Sequence, residues 1–295
     1  MTTMPFPFTP TGVPRRADVA AAPPPAVVIT PPGRLGLPRW GELWGAREVL
    51  YRFGQRDVLL RYRQTAVGVL WVVLQPLVSA GILSLVFGKV ANLPSQGMPY
   101  FVFSFAGTLA WNLFNNVIGR SAPSLVSNAS LVSKVFFPRL LVPLSTTLSV
   151  LLDFGVALVL GVVLLFVFRV NPGWPVLLIP VWVVLLVSCG LGVGLAAASL
   201  QVKYRDIGYF LPWVMQLVMY GSPVAYSLDA IPHSIRWAFE ANPMTWFLEA
   251  FRWSFLGLPG PAPWQIAGLF GVSALVLLSG VLVFQKNERL FADVI

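Results

Sequence analysis

From residue 66 onward the apolar positions gather into runs of about twenty residues, the length that spans ~30 Å of hydrocarbon. Short segments carrying most of the charge part these runs. Six runs follow the pattern: 66–88 (with Pro76 inside it), 100–119, 140–168, 176–200, 209–226 and 266–284. Each predicts a membrane-crossing helix, because a helix satisfies its own backbone hydrogen bonds in lipid. Ahead of them, Trp40, Leu43, Trp44, Leu50, Tyr51, Val58 and Tyr62 recur on one helical face. Glu48, Arg52, Arg56 and Arg63 take the opposite arc. Arg47 falls on the apolar side, where a long stem can snorkel. A basic amphipathic helix edged with Trp and Tyr is predicted to lie in the membrane interface. After the break at Ser222-Pro223, residues 228–258 are amphipathic, aromatic-rich and punctuated by proline, which predicts helices that dip back into the outer face.

The predicted architecture is an all-α polytopic membrane protein. It has six transmembrane helices, an N-terminal amphipathic interfacial helix, and re-entrant outer helices between spans 5 and 6. The segments are a Pro-rich tail at 1–38, the interfacial helix at 39–64, the six-span region at 65–286 and a C-terminal tail at 287–295. Pro23-Pro24-Pro25 and Pro31-Pro32 make the first segment a disordered or extended tail without a core of its own. It holds no apolar core segment of the kind a secretory signal peptide needs.

Composition agrees: 57% of residues are hydrophobic and 11% charged, against about 25% charged in soluble domains. A 295-residue soluble chain could not bury that much apolar surface. Net charge is +9, and its placement matters more than its sum. Nine Lys and Arg precede the first run, three lie within 120–139, two in the 203–206 loop and two past residue 284. Only Lys89, Arg169, Arg236 and Arg252 fall in the segments between. The positive-inside rule then places both termini in the cytoplasm. The sequon Asn128-Ala129-Ser130 falls inside on this topology and is dismissed. Residues 120–139 are expected to form a short helix parallel to the membrane, starting at Ser130 or Ser133.

Chemistry-bearing patterns are few. Gly88-Lys89 lacks the upstream glycine and the following Ser or Thr of a nucleotide-binding P-loop. Gly190, Gly192 and Gly194 sit inside an apolar run, where small residues let helices approach closely. The lone Cys189 and the lone His233 offer no disulfide and no metal site. Asp153 is the one acidic residue deep in an apolar run. It is expected to pair with a basic group on a neighbouring helix or a second subunit, ahead of binding a proton or cation. The aromatics Trp71, Phe87, Trp111, Phe114, Tyr209, Phe210, Trp213, Tyr220 and Tyr226 suit an interfacial belt. Their faces also suit contact with sugar rings along a path. An enzyme acting on lipid-linked sugars would have to draw on Asp229, His233, Glu240 and Glu249, which scatter across a Pro-broken segment. A transporter so built, with no energy-converting site, takes its energy from a partner.

Four stretches resemble the membrane subunit of type-2 ABC exporters, in the branch that moves O-antigen, capsule and teichoic-acid polysaccharides. They are Arg61-Tyr62-Arg63 leading to Gly68-Val69-Leu70-Trp71 with Gln75-Pro76; Lys134-Val135-Phe136-Phe137-Pro138-Arg139; Arg205-Asp206 followed by Ser222-Pro223-Val224; and Asn242-Pro243-Met244-Thr245 with Phe251-Arg252. Their order and spacing agree over about residues 40 to 290. The resemblance implies a homodimer docked on two copies of a cytosolic ABC ATPase, which binds ATP and Mg; this chain would carry no catalytic residue, cofactor or metal. It implies a coupling surface at Ser124, Leu125, Ser130, Ser133, Lys134 and Arg139 with Glu48 and Arg52 of the interfacial helix. Lys203, Tyr204, Arg205 and Asp206 would form the cytoplasmic mouth. The aromatics named above would line a path for a lipid-linked glycan, and Ser222, Pro223, Asn242, Pro243 and Trp246 an outer re-entrant gate. An exporter of small hydrophobic drugs or lipids would share the fold.

Overall fold

The computed structural model describes residues 40–63, 68–134 and 137–288. The Pro-rich segment 1–38 and the last residues, from 289, lie outside the described residues, as do the side chains of Arg61, Tyr62, Arg63, Ser133 and Lys134. Every regular element among the described residues is helical. Five helices are long and apolar enough to cross a membrane: Leu70–Val90, Tyr100–Ser121, Leu141–Val167, Trp174–Lys203 and Pro263–Glu288.

The predicted interfacial helix is split into α1 (Trp40–Gly45) and α2 (Arg47–Arg63). Gly41 and Gly45 weaken the first turns, since glycine loses the most backbone entropy in a helix. Trp44 and Tyr51 remain exposed. Gly54 is buried where α2 meets Leu148. The first span is α3 (Gly68–Leu83), which continues as a wider π turn through Val90 and carries Pro76 inside it. A loop leads to α4 (Tyr100–Ser121), the buried centre of the bundle, packed by α3, α7 (Leu141–Val167), α8 (Ile179–Lys203) and α11 (Pro243–Leu256). Two short helices, α5 (Ser124–Ser127) and α6 (Ala129–Lys134), stand between α4 and α7. The second thus starts just ahead of the Ser130 expected from sequence.

The fifth apolar run differs most from its sequence reading. Helix α9 covers only Ile207–Tyr220, 14 residues, and residues 221–226 form a turn instead of the end of a span. Pro223 offers no amide and pushes Ser222 out of the helical region, so the helix stops before the pair. A 3-10 turn at Leu228–Ala230, α10 (His233–Glu240) and α11 follow as short helices where re-entrant segments were expected. Asn242 caps α11 by accepting the Met244 amide at 2.9 Å, with Pro243 in the first turn. The last helix, α12 (Pro263–Glu288), runs past the boundary at 286.

The three glycines of α8 set the helix spacing. Gly190 and Gly194 face Val117 and Ser121 of α4, and Gly192 faces the backbone of α12 at Val276. Gly280 of α12 meets the Gly192 carbonyl in turn, so a Cβ on either residue would collide with main chain. Where α7 meets α11 the core is aromatic. Phe154, Phe251 and Phe255 pack in series, with centroids 6.4 and 5.7 Å apart. Burying each such ring contributes about 1.5–3 kcal/mol relative to exposure in water. In lipid the gain comes from close packing instead.

Candidate functional site

The densest polar construction is the turn after α9. Arg252, on α11 and only 4% exposed, donates from Nη2 to the Val224 carbonyl at 2.6 Å and from Nη1 to the Tyr226 carbonyl at 3.4 Å. Its guanidinium lies 4.0 Å from the centre of the Phe103 ring, a cation–π contact. Gly107 makes room for it: a Cβ there would strike both the Val224 carbonyl and Arg252 Nη2. Tyr100 donates to the Ala225 carbonyl at 2.7 Å. Asn242 donates to the Gly221 carbonyl (2.9 Å) and to Ser222 Oγ (3.0 Å), while Ser222 donates back to Val218 at 2.7 Å. Tyr100 of α4, Arg252 of α11 and the α11 cap Asn242 therefore hold the 221–226 turn. Burial lowers the Arg252 pKa to about 10, with Glu249 and Tyr100 opposing. Burial likewise raises the Glu249 carboxyl, with Arg252 pulling it down. Of the expected gate residues, Ser222, Pro223, Asn242 and Pro243 meet here. Trp246 stands aside, its Nε1 on the Glu240 carbonyl at 2.6 Å and its ring 5.3 Å from Trp264. Sequence reasoning named Arg252 only as part of the family resemblance, without a site role, and missed Tyr100, Phe103 and Gly107. Arg252 adjoins an apolar stretch, and that burial of a cation was the available signal.

The path aromatics divide into two sets. Trp71, Tyr209, Phe210, Trp213 and Tyr220 are exposed on α3 and α9. Trp111 and Phe114 are buried in α4, 6.1 Å apart, and pack within the chain. Phe87 and Tyr226 meet at 6.4 Å at the end of the 221–226 turn, and Tyr226 donates to the Tyr220 carbonyl at 2.9 Å.

At the other end, Lys203, Tyr204, Arg205 and Asp206 are all exposed. Lys203 Nζ lies 4.9 Å from the Tyr204 ring centre. No side-chain bond joins Arg205 and Asp206 among the described residues. The loop is held by its backbone: the Arg205 carbonyl accepts Gly208 N at 3.1 Å, and Asp206 accepts Tyr209 and Phe210 at 3.0 and 2.9 Å.

Within the expected coupling surface, Ser124 donates to the Ser121 carbonyl at 2.7 Å. Leu125 is fully buried in a cluster with Leu195, Val202 and Phe284. Ser130 is exposed. Arg139 donates to the Glu288 carbonyl at 2.9 Å, tying the segment to the end of α12. Glu48 and Arg52 form an exposed pair at 3.6 Å, an arrangement worth little by itself. Arg56, not anticipated here, donates to Asn128 Oδ1 at 2.7 Å and joins α2 to the turn between α5 and α6.

Asp153 pairs with Arg120 of α4, whose Nη1 also donates to Ser149 at 2.8 Å. Two acidic residues after the turn gather around a cation: Arg236 reaches Glu240 at 2.8 Å and Asp229 at 3.7 Å. Among the described residues no three His, Cys, Asp or Glu come together as a metal-binding group.

Helices long and apolar enough to cross a membrane, joined by short linking helices, make this a multi-pass membrane protein. Residues 48–256 match the ABC-2 type transporter family, and the chain belongs to it. In this family the permease works with an ATPase carried on a separate subunit. The chain is 27% identical over 256 residues to the O-antigen export system permease protein RfbA of Klebsiella pneumoniae, covering 84% of this chain and 95% of that one. It is 28% identical over 254 residues to the protein of the same description from Myxococcus xanthus, covering 85% and 97%. It is 23% identical over 260 residues to the capsule polysaccharide export inner-membrane protein CtrC of Neisseria meningitidis, covering 85% and 95%.

Proposed function

We propose that this chain is the permease subunit of an ATP-driven exporter that carries a lipid-linked polysaccharide, of O-antigen, capsule or teichoic-acid type, across the cytoplasmic membrane. The observation that carries the reading is the near full-length likeness to O-antigen and capsule export permeases, 95–97% of each relative. The exposed aromatics of α3 and α9 support it, because ring faces give a passing glycan weak, repeated contacts.

Two copies form the pathway, each docked on one ABC ATPase that binds ATP and Mg. Six crossings result, with α9 and the turn after it serving as the fifth. Both termini are cytoplasmic, and α10 and α11 enter the outer leaflet without crossing. Helices α5 and α6, with α2, receive the stroke of the ATPase. Lys203, Tyr204, Arg205 and Asp206 border the entry, and the turn at Ser222 and Pro223 forms the outer gate.

The test is deletion of the gene followed by staining of surface polysaccharide, with co-purification of the tagged chain from the same cells. The reading expects loss of surface glycan, glycan accumulated inside, and an ATPase that co-elutes. Unchanged surface glycan with new sensitivity to hydrophobic drugs would instead favour a small-molecule exporter.

A further inference from the structure

One groove outside the gate combines features that packing does not account for. It lies between α3, α4 and α7 and encloses a cavity of about 60 Å³. At ~15 Å³ per position, that is room for about four waters or the hydroxyl edge of one sugar ring. Trp71 and Gln75 border it from one face of α3, four residues apart. Asn112 and Asn116 border it from α4, and Asp153 from α7. The α4 pair belongs to a polar row recurring every four residues, which starts at Ser104 and Thr108 and ends at Arg120. Ser104 and Thr108 are satisfied by backbone carbonyls of their surroundings. The carboxamides of Gln75, Asn112 and Asn116 have no hydrogen-bond partner among the described residues. Each offers two donors and an acceptor. All three sit in helices built to cross a membrane, where unsatisfied polar groups are costly and tend to serve function.

The charge of the site decides among ligands. Its carboxylate, Asp153, is matched by Arg120, so the groove presents no excess cation for a pyrophosphate and no free anion for a metal. A hydrophobic ligand would strand the three amides. A neutral ligand rich in hydroxyls fits both demands, donating to and accepting from the amides while a ring lies against Trp71. Resting on the export reading above, we propose that this groove is a saccharide subsite: Trp71 contacts the ring of one sugar residue, and Gln75, Asn112 and Asn116 exchange hydrogen bonds with its hydroxyls.

The test uses the assembled transporter in cells making their own surface polysaccharide. A photo-crosslinking p-benzoylphenylalanine at Val72, which borders the same groove, should yield on irradiation a chain-bound product that stains for periodate-oxidisable glycan. The same probe at Leu217, on the exposed side of α9, reports on the route in general. Glycan captured at 217 but not at 72 overturns the subsite and leaves the export reading standing. Glycan captured at neither position overturns both. In the double variant Asn112→Leu/Asn116→Leu, export should fall by about tenfold with chain yield and ATPase rate unchanged, the factor expected from losing two neutral hydrogen bonds to a weakly held ligand. Wild-type export by that variant overturns the subsite.

Discussion

Arg252 Nη2 donates to the Val224 carbonyl across 2.6 Å, joining residues 28 apart in sequence through the floor that Gly107 leaves open. Three effects meet at this bond. Stranding the carbonyl costs about 1–3 kcal/mol. Burying the guanidinium costs too, which is why its pKa falls to about 10. The planar fork recovers part of that cost by reaching two carbonyls, while a lysine ammonium is more strongly hydrated and reaches fewer. Arg252→Met should therefore lower stability by no more than about 2 kcal/mol, since the lost bond and the relieved burial offset. Arg252→Lys should melt at a lower temperature than Arg252→Met. Both should lose export, because the 221–226 turn is no longer held. Thermal melts of the purified variants decide the order, and a lysine variant as stable as wild type would refute the two-carbonyl argument.

The contact of Gly192 with Gly280 is backbone against backbone, whereas a Cβ at Gly190 would lie 3.1 Å from the Val117 side chain and 3.3 Å from the Phe114 carbonyl. A side chain can shift by a few tenths of an ångström, but two main chains in rigid helices cannot. Gly192→Ala and Gly280→Ala should each cost more than the roughly 1–3 kcal/mol typical of overpacking, and should cut the yield of monodisperse chain in detergent. Gly190→Ala should cost less than either, since its contacts at 3.1 to 3.3 Å ask for a shift of only a few tenths of an ångström. Size-exclusion profiles of the three variants test the ranking.

The apolar runs announced the crossing helices because a lipid-facing stretch must be apolar all round, and α3, α4, α7, α8 and α12 all fall where such runs lie. The small-residue row at 190, 192 and 194 was legible as packing for the same reason. The end of α9 was not, since hydropathy runs on through Val224 and Ala225 while Pro223 breaks the backbone. Asp153 called for a partner, yet nothing local names Arg120, 33 residues away in the last turn of another helix. The groove amides escaped notice because an asparagine every fourth residue reads as a helix face only once its neighbours are known. Trp111 and Phe114 looked like their exposed counterparts, because sequence does not say which face of α4 meets protein.

The Arg120–Asp153 pair makes a second stability prediction. Removing one partner of a buried pair leaves the other uncompensated, at a cost of about 3–5 kcal/mol. Asp153→Asn and Arg120→Gln should each destabilise strongly. The double variant should be less damaged than the sum of the two, because neutral groups of similar shape need no counter-charge. Melting the four proteins in the same detergent gives the coupling. Additive losses would mean that the two charges do not support one another.

The Arg56–Asn128 bond bears on how motion would pass between elements. Asn128 stands where α5 meets α6: its carbonyl accepts Leu131 N at 2.9 Å, its side-chain amide reaches the Ser124 carbonyl at 2.9 Å, and its Oδ1 takes Arg56. Through Arg56 a displacement of α5 and α6 reaches α2, and Gly54 of α2 lies against Leu148 of α7. The bond is part-buried and charge-assisted, worth about 1.5–3 kcal/mol, enough to make the elements move together but not to hold the fold. Arg56→Ala should therefore insert and assemble like wild type and keep the ATPase bound. Surface polysaccharide per ATP hydrolysed should fall several-fold, by about the factor that 1 kcal/mol of lost coupling implies. Measuring ATPase rate and surface glycan in the same cells separates the outcomes. Loss of both together would place Arg56 in assembly, and loss of glycan alone would place it in the transmission of the stroke.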